Sequence, residues 1–326
     1  MGILRYAVAG SFKKFYLNLN KISKENNISK FKLIYKFLYS FSKIKCGYSD
    51  FLNYKLYSRS KNEILNYVTI SDQDKFYEIV SPSKYKKDFS IKPRFLKKFK
   101  NYIYRDYFTV EMGFSNLKKF LKLKKEVIIK PIDGLGGHGV KKIKVKDIEN
   151  LKNFYEKLKK ERLFLEEVIV QHKDIAKLSE SSVNSLRIVT YSNFGKTEIV
   201  FAAIRIGNGK SSVDNFHQGG MGVLIDIEKG ILKGNAFDKE LNEYVKHPIT
   251  NIKFDKYKIP NWELVKETVL SASLISKNIH VVGWDVAVMQ DKVTFIEGNR
   301  RPGWDLQQVL ENRGRKDIMN RILRDF

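Results

Sequence analysis

The sequence predicts an α+β protein on two observations: a lysine-rich front with helical periodicity and, from residue 126 onward, short β-rich runs broken by glycine turns. In residues 11–67 apolar and aromatic positions recur at helical spacing (Phe12, Phe15, Leu19; Phe31, Ile34, Leu38; Leu52, Leu56), with lysines between them and Gly47 as the one glycine. A further helical stretch over 93–105 opens on Pro93, well tolerated in a first turn. The β-rich part comprises VIIK, RLFLEEVIV, SLRIVTY, EIVFAAIRI, GVLIDI, VVGWDVAV and VTFIE, with helices expected near 147–160 and 261–277. The texture changes between 110 and 125. This places a basic helical region at 1–110 and an α+β catalytic core at 111–326.

Composition narrows the function classes. A chain of 326 residues can bury a sizeable core. A single cysteine, Cys46, excludes an internal disulfide framework, and five scattered histidines give no zinc-ligand spacing. The expected compartment is therefore the reducing cytoplasm. The start, MGILRYAVAG, is broken by Arg5 and too short for a signal segment or membrane span. Net charge is +25, and residues 1–125 hold 28 Lys/Arg against 9 Asp/Glu. Such a front suits peripheral contact with anionic lipid or a polyanionic glycan. The simpler explanation is lysines solvating helix faces. No motif reads bases, so nucleic acid is not an expected partner.

The chemistry begins at VIIKPIDGLGGHGVKKIKV, where Lys130 ends an apolar strand and Gly134, Gly136, Gly137 and Gly139 lead into another strand. Glycines let backbone N–H groups approach phosphate oxygens, and the lysine supplies a charge for the same anion. A Walker loop would need GKS or GKT leading into a helix, whereas this loop is followed by a strand.

VVGWDVAVMQDKVTFIEGN reads as a hairpin centred on Asp291. Paired residues in an antiparallel hairpin have a constant index sum, so Asp285 faces Glu297, and Asn299 shares the face. Two carboxylates opposed on an apolar sheet repel one another. A hard cation relieves this, and two carboxylates with an amide oxygen suit Mg²⁺ that keeps water and phosphate ligands. On this reading, removing either carboxylate relieves strain. The alternative is two edge-strand acids facing solvent. Between lid and hairpin lie Arg187 and Arg205, each in an apolar strand and each needing an anion, either a structural carboxylate or a substrate phosphate.

This order of parts resembles the ATP-grasp superfamily, most closely its sugar-transfer-associated members, over about residues 70–310. The resemblance rests on KPIDGLGGHGV, LEEVIVQH, SVNSLRIVT, AAIRIGNGKSSVDNFHQGGM, His247-Pro248, GWDVAV and IEGNRRPG. It implies an ATP-grasp core, two α+β subdomains gripping ATP, behind the helical region. By the same resemblance Lys130 and the 134–139 glycines hold ATP phosphates, and Glu166, Glu167 and Val168 meet adenine. Arg187 and Arg205 meet the transferring phosphate, Asn215 and His217 lie where the acceptor enters, and Asp285, Glu297 and Asn299 bind Mg²⁺. A second ATP-binding lysine is expected before the lid, among Lys97, Lys98, Lys118, Lys119 and Lys122. Arg300-Arg301 stands where many relatives carry smaller residues, consistent with an anionic substrate group. The implied activity is a carboxylate–amine ligase acting on sugar-linked substrates. A kinase on the same fold and a non-enzymatic polyanion-binding module are the rival expectations.

Overall fold

A computed structural model describes residues 12–133, 139–209, 216 and 219–326. The chain forms two compact units. One contains the chain up to Pro82, Phe237–Glu243 and Gly303–Phe326; the other contains Ser83–Ala236 and Tyr244–Pro302. The division falls at 82/83, not at the expected 110/111. The reason is aromatic packing: Phe89, Phe95, Phe99 and Tyr102, from the stretch assigned to the front region, lie against Trp284 and Phe295 of the β core.

The first unit is helical, as its periodicity predicts. Helix α1 spans Phe12–Asn26 and α2 spans Lys30–Ile44. Ser29 caps α2, its side chain accepting from the Lys32 amide, and Lys45 closes the helix in the left-handed region at φ 53°. Capping boxes Ser60–Glu63 and Thr69–Asp72 start the helices at Lys61–Leu65 and Ile70–Val80. The C-terminal helices belong to this unit as well. Gln308 brackets the backbone of Val68, accepting from its N–H at 2.7 Å and donating to its C=O at 3.0 Å.

The second unit holds the strands. Strands β1 (Tyr107–Phe108), β2 (Glu126–Pro131), β3 (Lys141–Lys144) and β4 (Leu163–Glu167) form an antiparallel sheet in the order β1-β4-β2-β3. Helices Phe114–Leu121 and Leu151–Lys160 cover one face through Leu117, Leu121 and Leu158. The larger sheet has the order β11-β10-β5-β6-β7-β8-β9, with β5 Leu186–Asn193, β6 Lys196–Ile206, β7 Met221–Asp226, β8 Ile231–Phe237, β9 Glu243–Tyr244, β10 Val281–Val288 and β11 Val293–Asn299. Its core face buries Ile188, Ile204, Trp284, Val286 and Phe295 under the Trp262–Ser273 helix. Strand alternation then sends Arg187, Arg205 and Asp285 to the opposite face.

Candidate active site

Four adjacent strands place one charged side chain each in a row. Asp285 on β10 pairs with Arg187 on β5 and with Glu297 on β11. Arg187 pairs with Ala203 on β6, and Arg205 is two residues further along the same face.

The Asp285–Glu297 pairing is the one expected, but it arises differently. Near the turn the register is Val288↔Val293 and Val286↔Phe295, centred between Gln290 and Asp291. A bulge follows, with Ile296 as the extra residue, and the pairing resumes as Asp285↔Glu297 and Gly283↔Asn299. Without the bulge Glu297 would share the core face of Phe295. The extra residue turns Glu297 and Asn299 toward the charged row.

The neutralisation of the row also differs from the sequence expectation. Arg187 donates to both oxygens of Asp285, at 2.6 and 3.2 Å, and Arg205 reaches the same carboxylate at 2.8 Å while donating to Ser185 Oγ at 2.6 Å. Both arginines thus rest on a structural carboxylate. Burial disfavours charge on Asp285, but the two guanidiniums outweigh it and hold its pKa below the usual carboxylate value. Among the described residues Glu297 has no such partner. Burial, followed by repulsion from Asp285, pushes its pKa up, against the pull of Arg187, Arg205 and Lys130. Strain is therefore concentrated at Glu297, where added positive charge gains most. Gly283, on the Asp285 face, admits close packing of Pro302: a Cβ there would sit 2.6 Å from Pro302 and 3.5 Å from the Arg187 guanidinium.

The small sheet contributes a second cluster. Phe164 belongs to the large core and Leu165 to the small one, so Glu166 shares the Phe164 face. Lys130, opposite Phe164 on β2, reaches Glu166 Oε2 at 2.5 Å, and Arg105 reaches Oε1 at 2.6 Å. Burial works against this carboxylate as well, yet Arg105 and Lys130 hold its pKa down to about 2. Arg105 also donates to the carbonyls of Phe295 and Ile296, clamping the bulge that turns Glu297. Glu167 points the other way, to Lys124 and the Asp106 amide. The Glu166 carboxylate is thus engaged by two cations, while Val168 follows directly on β4.

One residue outside the sequence shortlist completes the cleft. Lys92 lines it with Phe89, Glu166, Glu297 and Asn299, and its pKa is lowered by burial, with Glu297 and Glu166 pulling it back up and Lys130 adding to the depression. Its own N–H donates to Ile132 O at 3.0 Å, placing it beside the end of the lid strand. Of the shortlisted lysines, Lys97, Lys118, Lys119 and Lys122 are exposed and Lys98 is bound to Asp88. The helix start Lys92-Pro93 was the only local signal; Arg105 carried none beyond its charge.

Gly139 has φ 76°, and a Cβ there would lie 2.9 Å from Pro131 Cγ. The other lid glycines, Gly134, Gly136 and Gly137, and the acceptor-side residues Asn215 and His217 lie outside the described residues. His247 is buried, with Nδ1 accepting from the Ile249 and Thr250 amides and Nε2 2.8 Å from Gly207 O. Through these contacts His247 fixes the backbone just beyond β6.

The donor set fits an open magnesium site: two carboxylates, one with its pKa raised by burial and by the other's charge, and the Asn299 amide on the same face. Among the described residues no three His, Cys, Asp or Glu side chains form a closed metal cage. Among the described residues five cations (Lys92, Arg105, Lys130, Arg187, Arg205) surround three buried carboxylates, a balance that favours a polyanion.

The sugar-transfer associated ATP-grasp family model matches residues 55–323. No curated protein matches the chain. Among solved structures, the ATP-grasp ligase PsnB complexed with minimal precursor is 12% identical, with a TM-score of 0.47 over 76% of this chain and 64% of that one. The L-amino acid ligase from Bacillus licheniformis is 13% identical, TM-score 0.41, covering 73% and 50%. The D-alanine-D-alanine ligase from Helicobacter pylori is 15% identical, TM-score 0.39, covering 69% and 60%. The chain thus spans less than two thirds of the length of each. With the family model covering most of its length, the chain belongs to the sugar-transfer associated ATP-grasp family.

Proposed function

We propose that the protein is an ATP- and Mg²⁺-dependent carboxylate–amine ligase. The observation that carries this reading is the pairing of two complementary clusters in one unit: Lys92 and Lys130 beside Glu166, and Asp285 and Glu297 beside Asn299, Arg187 and Arg205. The lysines hold triphosphate oxygens as charge-assisted donors. Asp285, Glu297 and Asn299 hold the cation, which neutralises charge on the phosphates. Arg187 and Arg205 already converge on one point of the row and orient the γ-phosphate toward the acceptor carboxylate. That carboxylate displaces ADP to give an acyl phosphate. An amine then attacks the acyl carbon, and phosphate leaves as the amide forms.

The substrate is a small carboxylate or amine linked to a sugar, in the decoration of a cell-surface polysaccharide or its precursor. The family's association with sugar transfer supports this, and Arg300-Arg301 directly after Asn299 offers charge for an anionic sugar group. The test is trapping. Protein, ATP, Mg²⁺ and a panel of uronic and amino acids, with hydroxylamine present, should yield ADP and a hydroxamate. A phosphorylated sugar that survives hydroxylamine, matched to ADP, would reassign the protein as a kinase on the same fold.

A further inference from the structure

Helix α2 is apolar on two opposite sides. Leu33, Ser40 and Ile44 are buried within their unit. Phe31, Ile34, Tyr35 and Leu38 recur at i, i+3, i+4 and i+7 on the other side and face solvent, Phe31 being 87% exposed and Leu38 58%. Soluble surfaces rarely carry such a continuous apolar row without a partner. It runs about 10 Å along the helix axis. At about 100° per residue, Lys30 and Lys32 flank it on either side, and both are exposed. The Lys30 amino group lies 5.8 Å over the Tyr16 ring, which joins the exposed Tyr16 and Leu17 of α1 to the same surface. Residues 12–45 carry nine lysines and one acid, Glu25. Among the described residues no helix is long and apolar enough to cross a membrane.

We propose that the α1–α2 hairpin is an interfacial membrane anchor: Phe31, Ile34, Tyr35 and Leu38 enter the headgroup boundary of an anionic bilayer while the flanking lysines meet lipid phosphates. An apolar stripe bordered by lysines is the pattern of helices that lie in the plane of a membrane. The charge argues against the other occupants of such a face. A second copy would bring nine further lysines against these nine, and a neutral apolar partner would leave the lysine border unmatched. The inference is independent of the ligase chemistry and places that chemistry at a membrane surface.

Co-sedimentation of the full chain with vesicles tests it. Binding is expected to phosphatidylglycerol–phosphatidylcholine vesicles, to fall with salt, and to be absent with phosphatidylcholine alone. Phe31→Ser with Leu38→Ser should lower the partition coefficient about tenfold or more, and each of Lys30→Gln and Lys32→Gln about fivefold. Both serine positions are exposed, so melting temperature should not change. Phe31→Trp reports separately: its emission should shift to the blue on adding anionic vesicles. The proposal is overturned by vesicle binding that the serine variant retains, by equal binding to neutral vesicles, or by a concentration-dependent dimer that the serine variant abolishes. It is equally overturned if binding appears only after residues 1–11 are removed, which would make that segment the cover of the stripe, or if a soluble sulfated polysaccharide binds the serine variant as tightly as the parent while vesicles bind neither.

Discussion

The two sheets bury acid in opposite ways. On the small sheet one carboxylate, Glu166, meets two cations, Arg105 and Lys130, and its pKa falls to about 2. On the large sheet two carboxylates, Asp285 and Glu297, share two arginines, and both arginines choose Asp285. The first cluster has positive charge to spare, and the second has an acid to spare. On the proposed function, the cation-rich cluster suits phosphate and the remaining acid suits a cation. The bulge at Ile296 brings Glu297 into the second cluster, and Arg105 bridges Glu166 to the bulge carbonyls.

The largest expected effect breaks the arginine-rich end of the row. Asp285→Asn should abolish turnover and lower stability by about 3–5 kcal/mol, because Arg187 and Arg205 lose a buried counter-charge. Thermal melts with and without nucleotide check both parts. The sequence argument, seeing only two opposed acids, expected relief at either position. The geometry allows relief only at Glu297.

Next is the pH dependence of the small-sheet cluster. Glu166 has a folded pKa of about 2 against an ordinary 4.5. A depressed carboxylate contributes stability that is present above its unfolded pKa and lost as pH falls through the folded value. Melting curves of the parent and Glu166→Gln should therefore differ most above pH 4.5 and converge toward pH 2. A constant gap across that range would show that the Arg105 and Lys130 contacts do not set the protonation of Glu166.

These contrasts also show how far sequence carried. The Asp285–Glu297 pair was legible because hairpin arithmetic is local, and Arg187 and Arg205 stood out as charges in apolar strands. The bulge was invisible: an extra residue in VTFIEG has no distinguishing composition, and the expected pair emerged from a centre displaced by half a residue. Lys92 and Arg105 were missed because their partners lie far along the chain, at Ile132 and at Glu166 and Phe295. The unit boundary was misplaced for the same reason, since only packing against Trp284 distinguishes Phe95 and Phe99 from the aromatic residues of the helical front.

A smaller effect sharpens the positive side. Lys92→Ala should weaken ATP binding by about 1.5–3 kcal/mol, one charge-assisted contact, with little loss of stability. Lys97→Ala, on the same helix but exposed, should change neither. Equal nucleotide affinity in the two variants would remove Lys92 from the phosphate site.

The division of labour between the clusters is tested most directly by calorimetric titration of a non-hydrolysable ATP analogue into the parent and Glu297→Gln, each with and without Mg²⁺. The raised pKa of Glu297 means its charge opposes folding increasingly as pH rises above the unfolded value, so at neutral pH the variant should fold at least as stably as the parent. It should bind the metal-free analogue at least as tightly, through Lys92 and Lys130, and lose the enhancement that Mg²⁺ gives the parent. Retention of the full Mg²⁺ enhancement by a folded Glu297→Gln protein would contradict the account, because the spare acid would then not be where the cation binds.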